Sequence, residues 1–115
     1  MLYLNVKRVM RLRGVDNHYE FLRSIGFIKA TARKVIVDEP FIVKLEQLEA
    51  LCLALNCTPN DLLEWKPNAS QNVSENHSLN GLKRAGEKDL PTLLNEIPLE
   101  KFEQIAGILQ DLKSE

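Results

Sequence analysis

Four side chains able to bind an anion or a base edge lie within one short segment of the chain. The segment, Gly26–Val37, follows an amphipathic stretch, Asn17–Ile25, across a short turn. If Gly26–Val37 is helical, the polar residues face outward: Lys29, Thr31, Arg33 and Lys34. Ammonium, guanidinium and hydroxyl groups are the donors that meet phosphate oxygens and base-pair acceptors. Two short helices joined in this way can place the second one in the major groove of DNA.

The charges of the chain are segregated along its length. Residues 1–37 carry eight basic and two acidic side chains, whereas residues 38–65 carry one basic and six acidic ones. Residues 66–115 have six basic and eight acidic side chains, and the whole chain has a net charge of −1. This segregation predicts one end that faces a polyanion. The alternative is that the basic residues form only a solvated surface of short helices.

Two helices are predicted before the polar segment. The first covers Asn5–Arg13, has its first residue as N-cap and is followed by Gly14. The second begins at Asn17, with Glu20 three residues further on in a capping-box pattern, and ends at Gly26. The apolar residues of the second helix are expected to be buried: Phe21, Leu22 and Ile25.

Three further helices are predicted in the next 35 residues or so. The polar segment forms the third, from about Lys29 to Val37, and Pro40 prevents its continuation. An extended apolar loop, residues 41–43, should pack on the core before a fourth, amphipathic helix at Lys44–Leu55. The inward residues of that helix are Leu45, Leu48, Leu51, Cys52 and Leu55. The fifth helix is predicted from its cap residues Thr58, Pro59 and Asp61, with Leu62, Leu63 and Trp65 packing it down.

The last third of the chain differs in composition. Residues 66–88 are rich in Asn and Ser and have the composition of a linker. A short helical segment is predicted up to Asn95 and a longer helix from Pro98. The longer helix has an apolar seam with spacings of three, four and three: Phe102, Ile105, Leu109 and Leu112. This seam can pair between chains, fold back on the first domain or bind another protein.

The order of five short helices resembles the Cro/CI-type (XRE) helix-turn-helix family of lambda-repressor-like DNA-binding domains. The segments that carry the resemblance are Asn17–Val37 and the closing segment Leu51–Trp65, and the resemblance covers about residues 4–66. It implies an all-α fold with a five-helix DNA-binding domain at 1–66. The composition of the next segment places a polar linker at 67–88. The remaining segment, 89–115, is then expected to be helical and to serve oligomerisation.

The resemblance also implies roles for individual residues, because the third helix of such domains is the recognition helix. The base-contacting residues would be Lys29, Ala30, Thr31 and Lys34. The phosphate-contacting residues would be Asn17, Arg33 and Lys44. The expected function is that of a sequence-specific transcriptional regulator, a repressor, that binds double-stranded DNA as a homodimer. An antitoxin or adaptor whose C-terminal helix binds a partner protein is the alternative.

Four features depart from the usual pattern of these domains. The spacing Gly14–Gly26 is one residue longer than in phage repressors. Ile28 stands where a Ser or Thr commonly caps the recognition helix. Leu22 stands where a small residue usually lets the second and third helices approach each other. Asp38 and Glu39 place negative charge directly after the recognition helix, where it would repel phosphate groups.

The sequence gives no indication of an enzyme, a metal site or a cofactor. Cys52 and Cys57 are five residues apart, and the only histidines, His18 and His77, lie far from them in the sequence. No Ser/His/Asp, Cys/His or phosphate-loop pattern is present. No apolar run reaches the roughly 20 residues of a membrane span, and the N-terminus lacks a signal-peptide pattern. The expected compartment is therefore the cytoplasm.

Overall fold

The computed structural model of the chain describes residues 1–84 and 90–114, which fall into two compact units, one on each side of residues 85–89. Both units are mostly helical. The helices of the first unit are α1 (Val6–Leu12), α2 (His18–Ser24), α3 (Lys29–Ile36), α4 (Leu45–Leu55) and α5 (Pro59–Leu62). No helix of the described residues is long and apolar enough to cross a membrane.

Asparagine side chains start the first two helices, as the sequence predicts. The Asn5 side chain accepts a hydrogen bond from the backbone N–H of Arg8 at 3.2 Å, and the Asn17 side chain accepts one from Glu20 at 3.0 Å. Each bond satisfies a donor that has no partner within the helix. Gly26, with a φ of +101°, lies just beyond the C-terminus of α2, in a backbone conformation that is unfavourable for residues with a Cβ atom.

A small sheet corrects the all-α prediction. Strand β1 (Leu2–Leu4) pairs antiparallel with strand β2 (Leu63–Trp65), and Tyr3 lies opposite Glu64. The Asn5 amide extends this link, because its Nδ2 donates to the Glu64 carboxylate at 2.6 Å. Strands of three residues are too short to show an alternating pattern, and these two are about 60 residues apart in the chain. The sequence pattern therefore does not reveal them.

The core of the first unit draws on all five helices, and Trp65 of β2 is buried as predicted. Two apolar residues expected to point inward are instead exposed. Ile42 is 89% exposed and Leu45 is 83% exposed. Phe41 packs against the core, and in an extended segment its neighbour Ile42 points to the other side. Leu45 is the first residue of α4 and precedes the turns of that helix that reach the core.

Part of the segment predicted as a linker packs against the first unit. Ser78–Leu82 form a 3₁₀ helix, and the following residues lie against β2 and α5. The Arg84 guanidinium donates to the backbone carbonyl oxygens of Asn60 at 3.0 Å and Leu63 at 3.2 Å. The Lys83 ammonium lies 5.4 Å from the centroid of the Trp65 ring, within cation–π range. These contacts attach the end of the 67–84 segment to the domain.

The second unit contains two helices whose apolar residues remain accessible. Helix α6 spans Leu90–Asn95, and α7 spans Phe102–Lys113 after a 3₁₀ turn at Leu99–Lys101. The α-helix therefore starts four residues later than the sequence predicts from Pro98. No described residue of this unit is buried. In the seam of α7, Ile105 is half-buried, and the other three residues are exposed, with Leu109 at 54% and Leu112 at 61%.

Candidate nucleic-acid interface

The turn between α2 and α3 is fixed by the core beneath it. Phe27 is 1% exposed, and its N–H donates to the Leu22 carbonyl oxygen at 3.0 Å. The Arg23 guanidinium in turn donates to the Phe27 carbonyl oxygen at 3.2 Å. Phe27 is not among the residues predicted above, although a large apolar residue directly after a turn glycine is a signal for such an anchor. The buried ring fixes the position from which α3 starts.

The inner face of α3 compensates for the large residue on α2. Leu22 of α2 and Ala32 of α3 are both fully buried in one core cluster, and Val35 is 4% exposed beside them. In this pair of helices the small residue lies on α3 and the large one on α2. Close approach of the two helices is therefore compatible with Leu22, because the space that Leu22 takes is matched by the small side chain of Ala32.

The outer face of α3 is cationic and accessible. Lys29, Ala30, Arg33 and Lys34 are exposed, whereas Thr31 is half-buried at the margin of this face. Helical spacing brings the four exposed residues onto one side of α3. Among the residues that the structure describes, none forms a hydrogen bond or an ion pair with the cations of this face. Their charges are thus available to an anion.

The other two predicted site residues lie at the starts of neighbouring helices. Asn17 is exposed, and its oxygen caps α2 while its Nδ2 donor has no hydrogen-bond partner in the described part of the chain. Lys44 is exposed directly before α4, and its backbone N–H donates to the Gln47 side chain at 3.0 Å. The Lys44 ammonium is therefore not involved in starting the helix. Both side chains keep a free donor.

The acidic residue that follows α3 is partly neutralised. Asp38 has a φ of +61°, and its carboxylate lies 2.9 Å from the Lys7 ammonium. The same ammonium donates to the Ile36 carbonyl oxygen at the end of α3 at 3.0 Å. Sequence analysis missed this role of Lys7 because the two partners are 31 residues apart. The pair reduces the repulsion that Asp38 would exert on a phosphate group.

The closing segment has its predicted cap at α5. The Asp61 carboxylate accepts hydrogen bonds from the Thr58 N–H at 2.9 Å and from the Thr58 hydroxyl at 3.1 Å. These bonds, the backbone one first, lower the pKa of Asp61 below the ordinary value of 3.8 for an aspartate. Arg8 of α1 also donates to the Asp61 carbonyl oxygen. Helix α5 is thus tied to α1 by this hydrogen bond.

The two cysteines are free thiols at the end of α4 and in the turn that follows it. Cys52 and Cys57 are free and half-buried, and burial together with the neighbouring Cys52 raises the pKa of Cys57 to about 11. A thiol with that pKa is protonated at neutral pH, so it is a poor nucleophile and a poor metal ligand. Within residues 1–84 and 90–114, no three His, Cys, Asp or Glu side chains are grouped so as to hold a metal ion.

Comparison with known proteins gives one match. Residues 5–68 match the family model of the Cro/C1-type HTH DNA-binding domain. The match begins at the N-cap of α1 and ends just beyond β2, so it includes the α2–turn–α3 unit and the closing segment. Neither the curated proteins nor the solved structures gave a match.

Proposed function

Because the chain belongs to the Cro/C1-type helix-turn-helix DNA-binding family, we propose that it is a sequence-specific transcriptional regulator that inserts α3 into the major groove. The observation that carries the proposal is the outer face of α3, which presents three cations without partners among the described residues. Its opposite face is fixed by Ala32 and Val35 in the core. A rigid helix with an accessible polar face is what reading of base edges requires.

Three of the proposed base-reading residues lie in the first turn of α3, and Lys34 lies in its last turn. Lys29 and Lys34 can donate to guanine O6 and N7, and Thr31 can bond a base or touch a thymine methyl group. Ala30 allows close approach of the backbone to the groove. The exposure of Lys29, Ala30 and Lys34 supports these roles, and Thr31 keeps part of its surface accessible.

The proposed phosphate contacts come from three elements. Arg33 lies on the outer face of α3, Asn17 starts α2, and Lys44 precedes α4. Each has a free donor among the described residues, which is the requirement for binding a phosphate oxygen. Such contacts fix the register of the domain on the duplex and produce its salt dependence.

A dimer would read two half-sites. We assign dimerisation to residues 89–115. The reason is that α7 has an apolar seam whose residues remain accessible in the second unit. Two α3 helices separated by one turn of DNA, roughly 34 Å, would match a pseudo-palindromic operator. Bound in this way, the protein would act as a repressor by blocking access to the promoter.

Selection of bound sites from a random duplex library tests the main proposal. We expect an enriched pseudo-palindrome that the protein binds far more tightly than a scrambled duplex, with an affinity that falls as salt rises. Equal affinity for all duplexes would contradict sequence-specific regulation. An absence of binding even at low salt would overturn the DNA-binding role itself.

Dimerisation has its own experiment. Leu109→Glu should yield a monomer in sedimentation equilibrium and weaken binding to the full operator while leaving half-site binding unchanged. Gln110→Glu adds the same charge to the adjacent position outside the seam and should remain dimeric. A monomeric wild-type protein would contradict dimerisation and favour a different protein as the partner of α7.

A further inference from the structure

Ile28 is a large apolar residue exposed at the start of α3. Its side chain is 62% exposed, and its backbone is extended, with a φ of −70° and a ψ of 156°. The position is the N-cap of α3, but no side-chain hydrogen bond caps the helix. Ser, Thr, Asn or Asp at this position would supply the missing acceptor and stabilise the helix. Ile28 therefore contributes neither a cap nor burial to the fold.

The backbone around Ile28 keeps the side chain pointing outward. The preceding Phe27 is 1% exposed and fills the core, and the Ile28 carbonyl oxygen accepts from the Ala32 N–H at 2.9 Å. Because Phe27 and Ala32 hold the backbone on both sides, Ile28 cannot turn inward without breaking the start of α3. The exposed side chain adjoins Lys29 and Ala30, the first two residues of the proposed reading surface.

The major groove offers one apolar group on its base edges, the C5 methyl group of thymine. An isoleucine has two branches at Cβ and one strongly preferred χ1 rotamer, so it can hold an apolar contact with little loss of entropy. The cations next to it bind polar edges and phosphates, and they cannot recognise a methyl group. Ile28 is the largest exposed apolar side chain at this end of α3, where Ala30 and Thr31 each offer only one methyl group.

We propose that Ile28 is a specificity-determining residue that contacts a thymine methyl group at one fixed position of each half-site. The inference rests on the proposed function, because it requires α3 to lie in the major groove. The Ile28 side chain has no hydrogen-bonding group, so a search for donors and acceptors on α3 does not identify it. It also gives a reason for the uncapped start of α3: an apolar contact with DNA takes the position of a stabilising cap.

The test uses uracil, which lacks the C5 methyl group but keeps the hydrogen-bonding edge of thymine. The site enriched from the random library is synthesised with each thymine replaced in turn by uracil, and the Kd is measured by fluorescence anisotropy. For the full-length wild-type protein we expect a loss of about fourfold at one thymine per half-site, the value of one buried methyl group. Other thymines should be insensitive to the replacement.

Two variants assign the effect to Ile28. Ile28→Ala should bind the thymine and uracil duplexes equally. Val37→Ala is the matched control, because Val37 is 59% exposed at the other end of α3, and this variant should keep the wild-type preference. Ile28→Ser should lose the preference while raising the midpoint of thermal unfolding, since serine supplies the missing cap. The thermal midpoint of Ile28→Ala, measured in parallel, should change little and exclude unfolding as the cause.

Several outcomes would overturn the inference. One is specific binding in which no thymine is sensitive to uracil, and a second is a preference that persists in Ile28→Ala. In both cases the DNA-binding proposal stands and only the role of Ile28 is lost. If the wild-type protein binds no duplex, the proposed function and this inference fail together.

Discussion

The ammonium group of Lys7 on α1 lies 2.9 Å from the carboxylate of Asp38, the second residue after the end of α3. The same ammonium donates to the Ile36 carbonyl oxygen, so Lys7 holds both the last turn of α3 and the acidic residue beyond it. The domain therefore tolerates an acidic residue beside its proposed DNA-binding helix, because a cation from another helix offsets the charge.

Removal of the Asp38 charge should strengthen DNA binding. Asparagine tolerates the left-handed backbone of residue 38, so Asp38→Asn changes the charge without straining the chain. We expect an affinity about two- to fivefold higher and a steeper salt dependence, since Lys7 is then free to attract phosphate. The Asp38 side chain is largely exposed, and loss of the ion pair should cost less than about 1 kcal/mol of stability.

Anisotropy titrations at several salt concentrations measure both effects of Asp38→Asn. Glu75→Gln is the control, because it removes one negative charge outside the proposed interface. Lys7→Met should have the opposite effect and weaken binding. An unchanged affinity in both Lys7→Met and Asp38→Asn would show that this end of α3 does not approach DNA.

Two substitutions at Asn17 separate its cap from its proposed phosphate contact. Asn17→Ala should lower the free energy of unfolding by about 1 kcal/mol, because the Glu20 N–H loses its acceptor. Asn17→Asp keeps the acceptor and should retain stability, but it replaces the free Nδ2 donor by a negative charge. DNA binding by Asn17→Asp should therefore fall about tenfold or more. Urea unfolding and anisotropy give the two readouts, and wild-type affinity in Asn17→Asp would remove Asn17 from the interface.

The two neighbouring cations of α3 should respond differently to truncation. Lys34→Ala should reduce affinity for the preferred site more than for a scrambled duplex, by a factor equivalent to about 1–3 kcal/mol. Arg33→Ala should weaken binding to both duplexes equally and reduce the slope of log K against log salt by about 1 per protomer. Equal losses on both duplexes in Lys34→Ala would make Lys34 a phosphate contact.

Because of the cap of α5, the free energy of unfolding should depend on pH in the acidic range. The pKa of Asp61 is lowered in the folded state from 3.8, so the folded protein binds this proton less readily than the unfolded chain. The contribution is fully present above pH 3.8 and is lost as the pH falls through the lower, folded-state pKa. Asp61→Asn should flatten this part of the stability curve.

Urea unfolding of wild type and Asp61→Asn, followed by the fluorescence of Trp65 between pH 2 and 6, measures the difference. Trp65 is the only tryptophan and is buried, so its signal reports on the first unit. Asp111→Asn in α7 is the control for the removal of a carboxylate. Parallel curves for wild type and Asp61→Asn would contradict the role of the cap.

Arg84 lies outside residues 5–68, which match the family model, but it should still stabilise the domain. The Arg84→Met change removes the hydrogen bonds to the carbonyl oxygens of Asn60 and Leu63 but keeps an aliphatic side chain. We expect a loss of about 1–2 kcal/mol in the free energy of unfolding, with DNA affinity unchanged. Lys113→Met, at an exposed position of α7, serves as a control for the loss of a cation. Wild-type stability in Arg84→Met would mean that residues 67–84 act only as a linker.

The sequence by itself determined the features that depend on neighbouring residues. The caps of α1, α2 and α5 could be predicted because each joins residues three apart, as in Asn17 and Glu20. The same local periodicity predicted the outward cations of α3, which the structure exposes on the side opposite the buried Ala32 and Val35. The contacts assigned to these cations stay predictions until a complex is measured.

Only the tertiary structure decided the relationships between distant segments. The pairing of Tyr3 with Glu64, the ion pair of Lys7 with Asp38 and the attachment of Arg84 each join residues at least 21 positions apart. No sequence pattern specifies such pairs, because their geometry arises only when the helices pack around a common core. The exposure of Leu45 has the same origin: periodicity gives the apolar side of α4, but the length of the core decides how many turns it covers.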